Sequence, residues 1–455
     1  MKNKIKNKDN YNNLNKDLKY VQGILEKANR CLKCSLAPCM KKCPLKINIP
    51  DFISEVKKNN IIEAFKIISK NSYFPIICSK ICPKEKQCEG ACIRGKKGNP
   101  VAIGEIENFV ANQCIDLDDK LNLLFVKDNR NLYINRKVAV VGSGPAGLSC
   151  AISLKKLGYD VTIFEKMPKL GGMIYYGIPE FRLKKTVLEK EILKLKKMGI
   201  NIRNRVEVGK DIFLEDLIKE EKFDAIFLAT GTWSAKKLNI PGEELERVYN
   251  FVDFLILLND KKGEILNSTK NVAVIGGGNV AIDIARCIKK FKKNINVYLI
   301  YRRSINELPA NKNEVTEAIE ENINFETLTN VKEIISDKFG KVKKIICTKN
   351  KISDKLDESN RPIPTELPNT EYEIFIDTVV ICAGSMGSLL SEKDPYQQII
   401  CEKSNVIKIS ENYQSTVIPQ IFVGGDLVLG PSTVAKAMAN GKAVAENIHR
   451  YLNEN

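Results

Sequence analysis

The 455-residue chain contains a single histidine, His449, near its C-terminal end. That scarcity excludes Ser-His-Asp catalysis, zinc sites of the HExxH type and His/carboxylate iron centres. Whatever chemistry occurs here runs without imidazole. Long apolar runs are also missing. None reaches the ~18 residues needed to span a bilayer, and the best stretch, Phe251 to Leu258, is interrupted by Asp253. The opening MKNKIKNKDNYNNLNK is charged but has no apolar core, so it is not a secretion signal. Residues 1–20 are expected to form a flexible tail, and the protein reads as cytoplasmic.

Acidic residues are outnumbered, 55 against 72 Lys and Arg, for a formal charge of +17. Such a balance suits a nucleic-acid or anionic-membrane surface. The lysines are scattered, however (Lys2, Lys57, Lys190, Lys292, Lys341), as a Lys-, Asn- and Ile-heavy composition would give. The expectation is no nucleic-acid and no membrane partner. At about 150 residues per domain, the length suggests roughly three domains.

Cysteine is abundant and unevenly placed. Eight of the fourteen fall between Cys31 and Cys92, as Cys31-x2-Cys34-x4-Cys39-x3-Cys43-Pro44 and Cys78-x3-Cys82-Pro83-x5-Cys88-x3-Cys92. In a reducing compartment such a cluster signals metal binding in preference to disulfides. Zinc is one possibility. The repeated layout, with a further Cys-Pro after a tight triplet, favours iron–sulfur clusters, in which the cysteine before proline ligates the other cluster. Cys31, Cys34 and Cys39 would then share a first cluster with Cys92, and Cys43 would cross to join Cys82 and Cys88 on a second. That leaves the second cluster's fourth ligand open between Cys78 and a carboxylate further along. Cys114, Cys150, Cys287, Cys347, Cys382 and Cys401 stand singly and read as small buried apolar residues.

The composition changes near residue 137. A β-branched strand runs into Gly142-Ser143-Gly144-Pro145-Ala146-Gly147, an apolar helix pattern follows, and a second strand ends at Glu165, twenty-three residues after Gly142. The glycines allow a tight turn, a close pyrophosphate approach and close helix–strand packing, and the acidic residue is placed to hold ribose hydroxyls. The helix N-terminus then faces the phosphates. The unit recurs at Asn271–Ala281, with Gly276 and Gly278, but its second strand ends in Tyr301-Arg302-Arg303-Ser304. A carboxylate would repel a 2′-phosphate, whereas arginines grip one with paired hydrogen bonds. The first site therefore suits FAD or NAD and the second NADPH. Two such sites imply hydride transfer between cofactors, which needs no acid–base side chain, so no catalytic residue is expected.

These motifs resemble the glutamate synthase small-chain family, pyridine nucleotide-disulfide oxidoreductase-like proteins with an N-terminal iron–sulfur domain of the dihydropyrimidine dehydrogenase type. The family also includes the large subunit of the NADH-dependent ferredoxin:NADP oxidoreductase. The likeness runs from about Arg30 to Leu452, through Arg30-Cys-Leu-Lys-Cys34, Gln87-Cys-Glu-Gly-Ala-Cys92, Gly171-Gly-Met-Ile-Tyr-Tyr-Gly-Ile-Pro-Glu-Phe-Arg182, Phe227-Leu-Ala-Thr-Gly231 and Val423-Gly-Gly-Asp426.

The resemblance implies two [4Fe-4S] clusters, with Glu107 and not Cys78 as the open ligand. It implies FAD contacts from Gly142 to Gly147, from Glu165 and Lys166, and from Gly171, Gly172, Met173 and Gly177. Thr230, Gly231, Gly384, Gly425 and Asp426 join them, with Ser432 and Thr433 opening a helix aimed at the flavin. NADPH is expected at Gly276, Gly278, Asn279, Val280, Arg302 and Arg303. The implied fold is α/β: a helical iron–sulfur domain (21–130), a split FAD domain (131–240 and 372–455) and an inserted NADPH domain (241–371). The implied activity is electron transfer from NADPH through FAD and the clusters to a larger FMN-containing synthase subunit, because glutamine-dependent chemistry has no room beside three such modules. The alternative is the FAD subunit of an electron-bifurcating ferredoxin:NADP oxidoreductase. Two segments stand apart: Ile381–Leu389 departs from the family's apolar-Gly-x-x-Pro ending, and the Pro- and charge-rich stretch 350–370 reads as a loop without a legible role.

Overall fold

The computed structural model describes residues 18–121, 135–260, 263–357, 360–387, 390, 394, 409–415 and 417–454. The first seventeen residues of the expected tail, Cys401 and the last two residues of the 381–389 segment lie outside them. The chain divides into two compact units. One holds the residues up to Gly171, Arg182–Ala229 and Leu390–Asn455; the other holds Gly172–Phe181 and Thr230–Leu389. These units break after Ala229 and Leu389, inside the expected split flavin domain, and the helical segment belongs to the first of them.

The first unit opens with helices: α1 (18–29), α2 (Pro38–Lys42), α3 (Ile49–Lys57), α4 (Ile61–Ser69), α5 (Pro75–Ile81) and α6 (Ile103–Leu121). Prolines sit in the first turns of α2, α3 and α5, where the missing N–H costs nothing. Asn48 caps α3 by accepting from the Asp51 N–H at 3.4 Å. Phe52, Ile53 and Val56 then bury one face of α3, and Ile106 and Val110 do the same for α6.

A five-stranded parallel sheet follows, in the order β16 (Ile421–Val423), β4 (Ala225–Leu228), β1 (Lys137–Val141), β2 (Asp160–Glu165), β3 (Asn201–Asn204). Strands β1, β4 and β16 are near-continuous apolar runs because a parallel sheet is covered on both faces. Helix α7 (Pro145–Lys156) follows β1; α9 (Lys185–Lys197) and α10 (Leu214–Lys219) lie further along. Near the C-terminus come the short α14 (Asp426–Leu429) and the long α15 (Val434–Glu454). The helical segment is tied to this layer by Tyr73, whose hydroxyl meets Ser153 Oγ at 3.0 Å, and by Lys442 Nζ donating to the Asn71 carbonyl at 3.1 Å.

The second unit repeats the arrangement. Its parallel sheet has the order β6 (Val248–Asn250), β14 (Thr378–Ile381), β7 (Asn271–Ile275), β8 (Asn296–Tyr301), β9 (Asn324–Thr327). Around it lie α8 (Met173–Tyr176), α11 (Phe251–Asp260), α12 (Asn279–Phe291) and α13 (Lys312–Glu320). β5 (Ser234–Ala235) pairs with β15 (Ser385–Met386). An antiparallel sheet joins β10 (Thr329–Ser336), the long β11 (Val342–Leu356), β12 (Pro362–Glu366) and β13 (Tyr372–Phe375). The stretch read as a loop is therefore mostly strand. Its prolines obscured this, and they are tolerated because β12 is an edge strand. Among the described residues no helix is long and apolar enough to cross a membrane.

Close packing of α15 on α7 depends on Gly441: a Cβ there would lie 2.1 Å from the Ala146 carbonyl oxygen. Gly441→Ala should destabilise the protein by about 1–3 kcal/mol through overpacking. Gly23→Ala, within α1 and with open space around it, should be neutral or stabilising by up to about 1 kcal/mol. Thermal unfolding of the two variants checks the contrast.

Candidate cofactor sites

Two cavities in the helical segment gather the cysteines. Cys31, Cys34, Cys39 and Cys92 line the first, with Pro38, Ile49, Ile53 and Val101. Cys43, Cys82, Cys88 and Glu107 line the second, with Cys78, Lys84 and Gln87. Sequence neighbours are thus sorted into different cavities. Helix α2 ends at Lys42, and Cys43 continues as extended backbone away from Cys39. On the other side, Cys92 lies beyond the turn that follows Cys88. The first cavity holds the four cysteines grouped by the crossing pattern; the second holds Cys43, Cys82 and Cys88 with both candidates for the open position, Cys78 and Glu107.

The second cavity is the more deeply desolvated. Burial pushes Glu107 up to about 7, against the opposing pull of Lys84, and its Oε1 has no hydrogen-bond partner. A hydrogen bond to Cys78 and then burial raise the Cys82 thiol, and burial raises Cys43 and Cys88. In the first cavity burial lifts Cys39 to about 11. Buried polar groups without partners cost stability, so these linings suit a bound cationic iron centre. Among the described residues no three such ligands converge as they would on one metal ion. Four protein ligands per cavity is the number a cuboidal cluster takes, one at each iron. Cys78 also stands in the second cavity, its sulfur accepting from Ser72 Oγ at 3.7 Å.

In the first unit, the glycine turn after β1 is built for close approach. Gly142 has φ 102°, and its N–H donates to the Phe164 carbonyl at 2.8 Å. A Cβ on Gly147 would lie 1.9 Å from the Gly142 oxygen, whereas one on Gly144, which caps α7, would meet nothing within 4 Å. Pro145 and Ala146 open the helix, so its positive end faces that open space. Glu165 is buried at the end of β2. Its Oε2 accepts from the Ser143 N–H at 2.9 Å and hydroxyl at 2.5 Å, and its Oε1 accepts from the Met167 N–H at 2.8 Å. The carboxylate therefore shapes the loop, with lone pairs remaining for ribose hydroxyls. Gly171 closes on Ser143 at 3.1 Å, and Lys166 is exposed.

At the other end of this unit, Gly425 (φ 65°) donates its N–H to Asn440 Oδ1 at 2.6 Å. Asp426 accepts from Ser432 Oγ at 2.5 Å, and burial holds its carboxyl above the usual range. Thr433 Oγ1 accepts from Gln87 Nε2 at 3.3 Å. Gln87 and Ala435 both line the second cysteine cavity, so the start of α15 borders it. Gln87 opens the Gln87–Cys92 segment, but that segment gave it no role, and Asn440 belongs to no motif.

The remaining expected residues lie in the second unit. Gly172 (φ 54°) caps α8, where Met173 and Gly177 are in close contact. Thr230 and Gly231 follow β4, and Gly384 precedes β15. Gly276 is tight against the Cys382 carbonyl, whereas Gly278, capping α12, again faces open space. Asn279 Oδ1 accepts from the Asn311 N–H at 2.8 Å, and Val280 is exposed.

Arg303 departs from expectation. It is 2% exposed, its Nε donates to the Pro362 carbonyl at 2.7 Å, and its Nη2 pairs with Asp357 Oδ2 at 2.5 Å. A guanidinium so engaged cannot grip a nucleotide phosphate, so Arg303 anchors the β11–β12 hairpin. Arg302 alone is exposed. Asn350 Nδ2 donates to the Arg302 carbonyl at 2.9 Å, fixing the same turn from β11.

The pyridine nucleotide-disulphide oxidoreductase family matches residues 136–441, more than half of the chain. The chain belongs to that family. The 4Fe-4S family described as dihydropyrimidine dehydrogenase domain II matches residues 7–118, so an iron–sulfur domain precedes the oxidoreductase domain. The glutamate synthase [NADPH] small chain of Halomonas elongata is 30% identical, over 95% of this chain and 91% of that one. The NADP(+)-dependent formate dehydrogenase subunit beta of Moorella thermoacetica is 34% identical over 92% of this chain, which spans only 60% of that relative's length. Among solved structures, Mycobacterium tuberculosis FprA in complex with NADPH superposes with a TM-score of 0.59 over 70% of this chain and 85% of FprA, at 21% identity. That likeness bears on the fold of the oxidoreductase family.

Glu107 gives the cluster-free protein a pH signature. A carboxyl whose pKa is raised on folding contributes stability below its unfolded pKa and loses it as pH rises through the folded value, here about 7. Cluster-free Glu107→Gln should therefore be more stable than the parent above pH 7, with the gap narrowing toward pH 5; melting temperatures across that range check it. Arg303→Ala should cost about 2–3 kcal/mol through lost charge-assisted hydrogen bonds, while Arg302→Ala leaves stability unchanged and weakens NADPH binding far more than NADH. Paired unfolding and nucleotide titrations separate the two arginines.

Proposed function

We propose that the protein is an NADPH oxidoreductase that passes electrons through FAD and two [4Fe-4S] clusters to a partner subunit, in the manner of a glutamate synthase small chain. The division of labour has three modules: 21–130 for the clusters, 131–240 with 372–455 for FAD, and 241–371 for NADPH. FAD bound in its module would supply the chemistry that joins two-electron hydride transfer to single-electron transfer.

The chain's own residues prepare that exchange. Arg302 holds the 2′-phosphate, and the N-termini of α7 and α12 receive pyrophosphates beside Gly144 and Gly278. The positive end of α15 stabilises negative charge on the reduced flavin. Cys31, Cys34, Cys39 and Cys92 hold one cluster; Cys43, Cys82, Cys88 and Glu107 hold the other. The observation that carries the reading is the Gln87–Thr433 hydrogen bond: the start of the flavin-facing helix and the second cysteine cavity share one wall.

The relatives support a partner. One is named as a small chain of glutamate synthase and another as the beta subunit of a formate dehydrogenase. A synthase subunit carrying FMN is the partner proposed here.

Anaerobic titration of the reconstituted protein with NADPH should bleach both flavin and cluster absorption. Analysis should find about eight iron and eight labile sulfide atoms per chain for two such clusters. Bleaching of flavin alone, or zinc without sulfide, would overturn the route.

A further inference from the structure

The two cavities differ in what surrounds them. The second is lined by Cys43, Cys88 and Glu107 at 7–9% exposure. Around the first, Leu32 and Ile93 line the cavity and are nevertheless 55% and 38% exposed, and Leu36, two residues beyond Cys34, is 69% exposed. Large aliphatic side chains left in water at the mouth of a site are unusual on a monomer surface and mark interaction sites when grouped and rimmed by charge.

The rim has one sign. Residues 30–46 and 93–99 together contain eight lysines and arginines and no aspartate or glutamate. Over the whole chain there are 72 basic against 55 acidic residues, so this face is not a sample of the general excess. Arg94, Lys96, Lys97, Lys41 and Lys42 are all exposed. Arg94 Nε donates to the Arg30 carbonyl at 3.0 Å, holding the two segments together. Lys33 does find a carboxylate, Asp51, at 3.4 Å. No carboxylate among the described residues pairs with Lys96 or Lys97. An apolar centre within a cationic rim, of which Lys33 is paired with a carboxylate and Lys96 and Lys97 are not, is the anatomy of a transient protein interface steered by charge.

We propose that this face is the docking surface for the partner subunit of that route, which presents an acidic surface with a one-electron redox centre close beneath it. The inference rests on the electron route proposed above and adds where electrons leave and the charge of what collects them. The balance is simple. Each NADPH gives up a hydride, becoming NADP+; its two electrons leave one at a time, reducing two acceptor molecules, and one proton is released. An acceptor seated on Leu32, Leu36 and Ile93 excludes water from the exit, and the lysines raise its encounter rate.

The test uses the full chain with its cofactors loaded and a small acidic iron–sulfur ferredoxin as probe. Leu36→Asp and the double variant Lys96→Glu/Lys97→Glu are compared with the parent. Stopped-flow reduction of the protein's own absorption by NADPH should be unchanged in both. Ferredoxin reduction at low salt should fall at least tenfold in the charge-reversal variant, and its salt dependence should flatten. Equal rates and equal salt dependence in all three proteins would overturn the proposal. If NADPH fails to reduce the parent's own cluster absorption, the electron route fails instead. The surface is then judged by calorimetric titration of ferredoxin, where binding lost in the variants supports it and binding unaffected refutes it. Salt-sensitive binding to anionic vesicles or DNA through the same lysines, without ferredoxin binding, would also overturn it.

Discussion

Desolvation of the second cysteine cavity is the constraint on which the first unit turns. Four thiols and a carboxyl line one cavity, one carboxylate oxygen without a partner, at the place where the helical segment meets the start of α15. Folding alone gains little from that arrangement, since burial raises the Cys43 and Cys88 thiols despite their backbone hydrogen bonds and leaves Glu107 Oε1 with none. The surrounding packing must hold it: α6 supplies Glu107, α5 ends at Cys82, and Gln87 reaches across to Thr433. The ligand set is preorganised by elements that are stable for other reasons.

The nucleotide sites follow the same logic in milder form. In both sheets a central strand delivers its turn to a helix N-terminus, and the turn is shaped by protein contacts on one side only. Gly147 and Gly276 are pressed against backbone carbonyls; Gly144 and Gly278 are not. The contrast separates glycines that the surrounding backbone requires from glycines that no protein contact requires.

Much of this was legible because the signals are local. The glycine turns, their flanking strands and the spacing of the cysteines are each complete within a few dozen residues, and that spacing anticipates that Cys43 and Cys92 line different cavities from their sequence neighbours. What escaped was written at long range. Arg303 and Arg302 are adjacent and chemically identical, yet one is clasped by Asp357 and Pro362, more than fifty residues away, and the other is left in water. Nothing in the local sequence distinguishes them. The hairpin responsible looked like a loop, because its prolines and charges suit an edge strand as well as a coil. The role of Gln87 was equally hidden, although the residue opens a recognisable segment, since its partner Thr433 lies at the opposite end of the chain.

The clasp on Arg303 has a consequence for how coenzyme choice can drift. The turn that presents Arg302 is held by a hairpin belonging to a different sheet, so substitutions at Asp357 or Asn350 alter the pose of a residue they never touch through its side chain. Under the proposed role of Arg302, coenzyme preference is inherited jointly by two distant stretches of sequence. A chimera that exchanges the glycine turn and its arginines while leaving the hairpin behind carries the letters of the specificity without the scaffold that aims them.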